Sequence, residues 1–149
     1  IIRGTYGKPY LKGNENFHFN ISHTHNAIAI AIADTPIGID IERIRPLNDS
    51  IVKRLYSIKE KEYVYSVADV EDRRFSEIWT RKEAYIKRDD RNISLGSFSI
   101  DTFKDAIDGQ IKTYCIGKYV ISVCGNQAVE KFDLINQEKF RSMISGRKV

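Results

Sequence analysis

The sequence predicts an α+β fold in which an antiparallel sheet packs against helices. Strand-like alternation of apolar and polar residues fills 17–42, helical spacing follows over about 49–90, and strand-like segments return over 97–124. An order of strands, then helices, then strands is typical of the α+β class. The 149 residues are enough for one domain with a hydrophobic core of its own.

The first part of the chain predicts a lead-in and three strands. Glycine, proline and asparagine punctuate residues 1–16, which are expected to be irregular. The predicted strands are residues 17–22, 27–33 and 37–42. The second strand is a run of alanine and isoleucine, a composition that suits a central strand. Short polar turns separate the three, so 22–42 is expected to form a β-hairpin or a meander.

The middle of the chain predicts three helices. They cover residues 51–56, about ten residues after Ser57, and a long segment around Glu83. The candidate N-cap residues are Asp49 or Ser50 for the first helix and Ser57 for the second, and Asp69 or Asp72 is expected to open the third. Ser57 and Glu60 have the spacing of a capping box, in which each side chain bonds the other residue's backbone N–H.

The last part of the chain predicts a return to strands and then a tail. The predicted strands are residues 97–101, 110–116 and 118–124, with a weaker candidate at 128–134. Gly109 and Gly117 lie in the turns between them. We therefore expect a lead-in at 1–16, a domain at 17–134 and a basic, helical tail at 135–149.

Composition limits the functional classes. Hydrophobic residues make up 42% and charged residues 30%, as in ordinary globular proteins, and no apolar run reaches the about 18–20 residues of a membrane span. The net charge of +4 lies mostly in the tail and is too small to indicate a nucleic-acid partner. Cys115 and Cys124 make no disulfide framework, so we expect two free, buried thiols in a cytoplasmic protein.

The long helix carries Trp79, Glu83 and Lys87 at intervals of four residues, so these side chains share one side of it. A carboxylate and an ammonium one turn apart beside a tryptophan can hold a metal–phosphate group. The same spacing also gives an ordinary surface ion pair, worth about 0.2–0.5 kcal/mol.

Asp40 and Glu42 lie two residues apart on a predicted strand, so both project from one face while the isoleucines around them point to the other. Two carboxylates about 7 Å apart repel unless a cation lies near both. Magnesium favours oxygen ligands and commonly takes one or two carboxylates plus substrate phosphates, and Glu83 can supply a third. The alternative is an exposed strand face that pairs with Arg43 or Arg45.

Three motifs together resemble the Sfp-type 4'-phosphopantetheinyl transferases. They are Phe19-Asn20-Ile21-Ser22-His23, then Gly38-Ile39-Asp40-Ile41-Glu42, then Trp79-Thr80-Arg81-Lys82-Glu83-Ala84-Tyr85-Ile86-Lys87. The resemblance begins at Gly7-Lys8-Pro9-Tyr10 and reaches the closing strands. Members of this family have two similar α+β halves. The resemblance implies that this chain is the second half, with the linker before it, of that fold.

The resemblance also implies an activity and a set of residue roles. These enzymes, of the holo-[acyl-carrier-protein] synthase type, move the phosphopantetheine arm of coenzyme A to a serine of an acyl or peptidyl carrier protein. The reaction requires magnesium and releases 3',5'-ADP. The matched positions are Asp40, Glu42 and Glu83 for the metal, Lys87 for the pyrophosphate, Ser22 and His23 for the nucleotide and its 3'-phosphate, Lys8 for another phosphate, and Glu60 for an acidic group at the metal or the serine proton.

Some alternatives stay open from the sequence. Glu83 or a metal-bound water can take the serine proton, and Glu62 is a second candidate for the role of Glu60. A chain that lacks the first half of the fold can also be a non-catalytic module that binds coenzyme A or a carrier protein without turnover. Such a half would expose apolar surface and could form a homo-oligomer.

Overall fold

The computed structural model describes residues 1–144 except 6, 15, 91–95, 127–130, 132, 134 and 136. It has the predicted α+β architecture, with antiparallel sheets packed against helices. The strands are β1 (Ile2–Arg3), β2 (Pro9–Tyr10), β3 (His18–Thr24), β4 (Ala27–Ala33), β5 (Gly38–Arg43), β6 (Ile111–Ile116) and β7 (Tyr119–Cys124). The helices are α1 (Asp49–Leu55), α2 (Ile58–Tyr65), α3 (Glu71–Arg88), α4 (Asp105–Asp108) and α5 (Gln137–Ile144).

Strands β3 and β4 form the predicted hairpin, with antiparallel pairing from His18 and Ala33 to Thr24 and Ala27. The alternation of β4 divides its side chains between two faces. Ala29 and Ala31 are buried, whereas the isoleucines of β4 are largely exposed: Ile28 by 72%, Ile30 by 59% and Ile32 by 63%. The hairpin therefore presents its larger apolar side chains to the outside.

A three-stranded antiparallel sheet, in the order β5-β7-β6, forms the centre of the fold. Ile39 and Ile41 of β5 are buried in one cluster with the two inward alanines of β4. Strand β5 pairs with β7 rather than with β4, so the hairpin does not extend into a meander. Side chains of β3 meet the outer edge of β5 instead: Asn20 Oδ1 accepts the Ile39 N–H at 2.8 Å, and Ser22 Oγ accepts the Ile41 N–H at 3.3 Å.

Helix α3 covers the face of the three-stranded sheet opposite to the one that carries Ile39 and Ile41. A side chain at Gly38 would place its Cβ 2.0 Å from the Ala84 carbonyl oxygen, so only glycine lets β5 approach the helix backbone so closely. Further along, Thr80 and Ser122 share a hydrogen bond of 2.8 Å, and both are fully buried. These two contacts fix the helix on β5, which carries the predicted acidic pair, and on the neighbouring strand β7.

Helices α1 and α2 pack on the N-terminal half of α3 through a buried cluster that includes Val52, Val64 and Phe75. The predicted capping box is confirmed at α2, where Ser57 Oγ accepts the Glu60 N–H and Glu60 Oε2 accepts the Ser57 N–H. Glu60 is fully buried, so the first turn of α2 is part of the core.

Several predicted boundaries were wrong. The N-cap of α1 is Asn48, whose Oδ1 accepts the N–H groups of Ser50 and Ile51, and α3 begins after Val70 without a side-chain cap. Residues 97–101 form a 3-10 turn over Ser97–Ser99 instead of a strand, because Phe98 stacks on Trp79 at a centroid distance of 4.8 Å.

The C-terminal predictions have mixed outcomes. Strands 110–116 and 118–124 are confirmed within one residue, and part of the tail is helical as α5. Most of the weaker candidate at 128–134 lies outside the described residues. Cys115 and Cys124 are both free, as expected, but Cys115 is exposed rather than buried. In the part of the chain that the structure describes, no helix combines the length and hydropathy that crossing a membrane requires.

Candidate functional site

Strand β5 and helix α3 bring the central predicted residues together. The Lys87 ammonium lies 2.6 Å from Asp40 Oδ1 and 3.6 Å from Glu83 Oε2. Asp40 projects towards α3 because it shares the face of Gly38, where strand and helix backbones touch. The helix places Lys87 one turn after Glu83. We call Asp40, Glu42, Glu83 and Lys87 the acidic cluster.

Asp40 is the most buried member of the acidic cluster, with an exposed fraction of 3%. Its Oδ1 accepts hydrogen bonds from Lys87 and from Ser22 Oγ, the latter at 2.8 Å. Its Oδ2 is buried and has no hydrogen-bond partner. A buried carboxylate oxygen without a partner is costly, and it is the kind of atom that a bound cation satisfies.

Glu42 lies at the more open end of the acidic cluster. Thr24 Oγ1 donates to Glu42 Oε2 at 3.4 Å, a long hydrogen bond that leaves the carboxylate weakly held. Burial raises the pKa of Glu42, and the nearby charge of Asp40 raises it further, against the opposing effect of Arg45. The Glu42 carboxylate is therefore desolvated and repelled without a direct ionic partner of its own within 4 Å among the described residues.

Glu83 has a raised pKa for the same main reason. Burial disfavours its charged form; Lys87 opposes this effect, while Asp40 and Glu42 add to it. Each of the other two carboxylates is thus close enough to Glu83 to influence its ionisation. Glu83 of α3 and the two acids of β5 therefore share one electrostatic environment.

The acidic cluster has the right chemistry for magnesium but is not a ready-made metal centre. Among the described residues, no three side chains of His, Cys, Asp or Glu are arranged to hold a metal ion. The available donors are nevertheless carboxylate oxygens, which magnesium prefers, and one of them is the partnerless Asp40 Oδ2. We conclude that Asp40, Glu42 and Glu83 fit this ion by donor type and burial.

Ser22 and His23 are neighbours on β3 and therefore point to opposite faces. Ser22 is buried, and its hydroxyl joins Asp40 Oδ1, the Ile41 N–H and, at 3.4 Å, the Lys87 ammonium. His23 is exposed and lies opposite Ile28 in the hairpin. The structure thus brings Ser22 into contact with the acidic cluster and leaves His23 on the outer face.

Lys8 reaches the end of α3 from the lead-in. Its ammonium donates to the Ile37 carbonyl at 2.7 Å and to the Arg88 carbonyl at 2.5 Å. Burial lowers the pKa of Lys8, partly offset by the charges of Asp89 and Asp90. In this arrangement the Lys8 ammonium joins the last carbonyl of α3, where a cation is favoured by the helix dipole, to the residue before β5.

Glu60 lies away from the acidic cluster. Its carboxylate is fully buried and forms an ion pair of 2.7 Å with the equally buried Lys82. Its other oxygen accepts the Thr102 N–H at 2.9 Å and the Thr102 hydroxyl at 2.8 Å. The predicted role of Glu60 at the metal or the serine proton is not supported by these contacts. Glu62, the alternative, is exposed on α2.

Three residues that contact or position predicted site residues were missed by the sequence reasoning. Asn20 holds β3 against β5, Thr24 contacts Glu42, and Lys82 neutralises Glu60. Asn20 and Thr24 had one available signal, because they alternate with Ser22 and so share its face of the strand. Lys82 had none, since its partner lies on another helix.

The fold and the acidic cluster define an α+β protein in which three carboxylates and a lysine meet between a strand and a helix. Residues 36–133 match the family described as ACPS: 4'-phosphopantetheinyl transferase superfamily. The match covers more than half of the chain, so this protein belongs to the 4'-phosphopantetheinyl transferase superfamily.

Individual relatives agree with this membership. The chain is 31% identical over 156 residues to 4'-phosphopantetheinyl transferase psf-1 of Bacillus pumilus, covering 93% of this chain and 66% of that protein. It is 37% identical over 105 residues to 4'-phosphopantetheinyl transferase Sfp of Bacillus subtilis (strain 168), covering 67% of this chain and 46% of that protein. The chain thus spans about half to two thirds of the length of these relatives.

Proposed function

We propose that the chain takes part in transfer of the 4'-phosphopantetheine arm of coenzyme A to a serine of an acyl or peptidyl carrier protein. The observation that carries this proposal is the meeting of Asp40 and Glu83 at the Lys87 ammonium, with Glu42 beside them. Family membership supports the same chemistry. Coenzyme A and a carrier protein are the proposed substrates, and magnesium is the proposed cofactor.

The proposed roles follow from position and charge. Asp40, Glu42 and Glu83 would hold the magnesium ion, which supplies charge neutralisation for a diphosphate when it is bound. Lys87 is proposed to bind pyrophosphate oxygens as a point charge at the same site. Ser22 orients Asp40 through its hydrogen bond, in addition to its proposed place near the nucleotide.

Lys8 and His23 remain the proposed contacts for phosphate groups of the nucleotide. The exposed ring of His23 is accessible to a ligand on the outer face of the hairpin. Two of the three N–H donors of the Lys8 ammonium bond the carbonyls of Ile37 and Arg88, so one donor is left for a phosphate. We expect the contribution of Lys8 to phosphate binding to be correspondingly small.

The proposed reaction forms a bond between the serine oxygen of the carrier and the phosphorus that bears the pantetheine arm. The bond from that phosphorus to the bridging oxygen breaks, and 3',5'-ADP leaves with the electron pair. We assign the serine proton to Glu83 or to a metal-bound water, because a carboxylate that holds magnesium is itself a poor base. Glu60 is assigned to the support of α2 and α3 rather than to proton transfer, since Lys82 and Thr102 occupy its oxygens.

The direct test is mass spectrometry of a carrier protein after incubation with the chain, coenzyme A and magnesium. A positive result is a gain of about 340 Da on one serine, the mass of the phosphopantetheine arm that the transfer chemistry attaches. Asp40→Ala and Glu83→Ala should abolish the gain while the circular dichroism spectrum is unchanged. Asp34→Ala, which removes an exposed acid from the turn after β4, is the matched control and should behave like the parent. Unchanged transfer in both site variants would contradict the assignment.

A non-catalytic role is the second candidate, and two observations favour it. The chain spans about half to two thirds of the length of its relatives, and the isoleucines of β4 are exposed. A module of this kind would bind coenzyme A or a carrier protein without turnover. Calorimetry that detects coenzyme A binding, combined with no mass gain on the carrier, would support it. Light scattering would show whether copies of the chain associate.

A further inference from the structure

The Lys87 ammonium occupies the oxygen atoms that a metal ion would need. It forms a hydrogen-bonded ion pair with Asp40 Oδ1 at 2.6 Å, lies 3.6 Å from Glu83 Oε2, and meets the Ser22 hydroxyl at 3.4 Å. The Asp40 side chain is 5% exposed, so this is a charge-assisted hydrogen bond in a partly desolvated place. The ammonium therefore acts as the positive charge that keeps the acids of β5 and α3 together.

A divalent ion and this ammonium cannot use Asp40 in the same way at the same time. Both are cations, and like charges within a few ångströms repel strongly where water is scarce. Asp40 Oδ2 is buried and has no partner, so the present arrangement satisfies only half of this carboxylate. A cation that bound both oxygens would gain an interaction that Lys87 does not supply.

Lys87 is also the lysine of α3 that has room to move. Its side chain is 23% exposed and lies in the last turn of the helix, with a flexible four-carbon stem. Lys82, on the same helix, has no exposed surface and is fixed by Glu60 and by the Ile100 carbonyl. Movement of Lys87 away from Asp40 thus requires a change of side-chain rotamer rather than unfolding of the helix.

We propose that Lys87 is an internal counter-ion, which holds Asp40 near Glu83 in the metal-free chain and leaves Asp40 when a divalent ion binds. The inference rests on the proposed function, because it takes the acidic cluster to be the metal site. Once released, the ammonium is free for a phosphate group. Metal binding and phosphate binding are then coupled through one side chain, and each strengthens the other.

The test is isothermal titration calorimetry of magnesium alone into the metal-free full chain, without coenzyme A. Lys87→Met removes the competing ammonium and should bind magnesium about tenfold more tightly than the parent, a difference of about 1.4 kcal/mol. Lys59→Met is the control for loss of one positive charge, because Lys59 is exposed on α2. It should leave the affinity within about twofold, since water and salt screen the charge of an exposed lysine.

Thermal unfolding supplies a second readout. Without metal, Lys87→Met should melt at a lower temperature than the parent, because Asp40 loses its counter-ion. Saturating magnesium should raise the melting temperature of Lys87→Met more than that of the parent. A purely structural lysine would give the first effect without the second.

The outcomes separate this inference from the proposed function. If the parent binds magnesium, Asp40→Asn does not, and Lys87→Met binds equally or more weakly than the parent, the counter-ion proposal is overturned while the metal site stands. If neither the parent nor Lys87→Met binds magnesium, or if Asp40→Asn does not weaken the binding, the metal site of the proposed function is overturned as well. Binding that appears only in Lys87→Met would support the proposal most directly.

Discussion

The buried ion pair of Glu60 and Lys82 is predicted to fix α3 in the core, and its contribution to stability can be measured directly. Both side chains have no exposed surface, and their charged atoms are 2.7 Å apart. Glu60 also accepts hydrogen bonds from Ser57 and Thr102, and the Lys82 ammonium donates to the Ile100 carbonyl. The perturbation is Lys82→Met, which keeps the length of the side chain and removes the charge.

The expected loss of stability comes from the Glu60 carboxylate that Lys82→Met leaves without a counter-ion. Without Lys82, the Glu60 carboxylate stays buried with hydrogen bonds but no opposite charge. Removing one partner of a buried pair typically costs about 3–5 kcal/mol, whereas a domain has only about 5–15 kcal/mol of stability in total. Lys82→Met should therefore lower the free energy of unfolding by about 3–5 kcal/mol, a large share of the total.

Urea unfolding followed by tryptophan fluorescence measures this loss, because Trp79 is the single tryptophan and lies on α3. The double variant Glu60→Gln/Lys82→Met removes both charges and should lose about 1–3 kcal/mol less than the sum of the single losses. Lys59→Met, on the surface of α2, should stay within about 0.5 kcal/mol of the parent. Additive losses, or a Lys82→Met value equal to that of Lys59→Met, would refute the reasoning. A Glu60→Gln variant of parental stability that had lost carrier modification would return Glu60 to the catalytic site.

Three further predictions concern the sheet and the acidic cluster. Gly38→Ala places a Cβ 2.0 Å from the Ala84 carbonyl oxygen, so we expect urea unfolding to show a loss of about 1–3 kcal/mol; an unchanged midpoint would mean that strand and helix can separate freely. Burial raises the pKa of Glu83 above its usual 4.5, so its contribution to the free energy of unfolding is present below pH 4.5 and is lost as the pH rises through the raised pKa. Unfolding curves of Glu83→Gln, measured across that pH range, should lack this part of the decline in stability. A decline identical to that of the parent would contradict the prediction. Ile30→Lys places a charge on an exposed apolar strand and should reduce self-association in light scattering while leaving stability within about 0.5 kcal/mol, whereas a large loss of stability would show that Ile30 is packed in the folded chain.

The parts of the fold that follow from local patterns could be predicted from the sequence. Alternation placed Ile39 and Ile41 on one face of β5 and the two acids on the other, as the structure has them, although Asp40 is buried as well. The capping box at Ser57 was equally readable, because both partners lie within one turn. These features depend on residues that are close in the sequence, so the spacing of apolar and polar residues by two or by four positions predicts them.

The misplaced features depend on contacts that are distant in the chain. Phe98 lies in a segment with the composition of a strand, but its ring packs on Trp79, and no neighbouring strand pairs with it among the described residues. The run Asn48-Asp49-Ser50 contains three good capping residues, so propensity alone cannot choose between them. Glu60 shares its acidic type with the residues of the site, and only its pairing with Lys82 separates it from them.

Helix α3 carries two lysines whose different surroundings explain how the acidic cluster stays assembled. Lys82 and Lys87 are five residues apart, so they project from different sides of the helix. Lys82 is fixed in the core, and together with the close approach at Gly38 and the bond from Thr80 to Ser122 it sets the helix on the sheet. None of these contacts uses a charge of the acidic cluster. The scaffold can therefore hold α3 against β5 while Lys87 balances the mutually repelling carboxylates, and Lys87 can change its partner without releasing the helix.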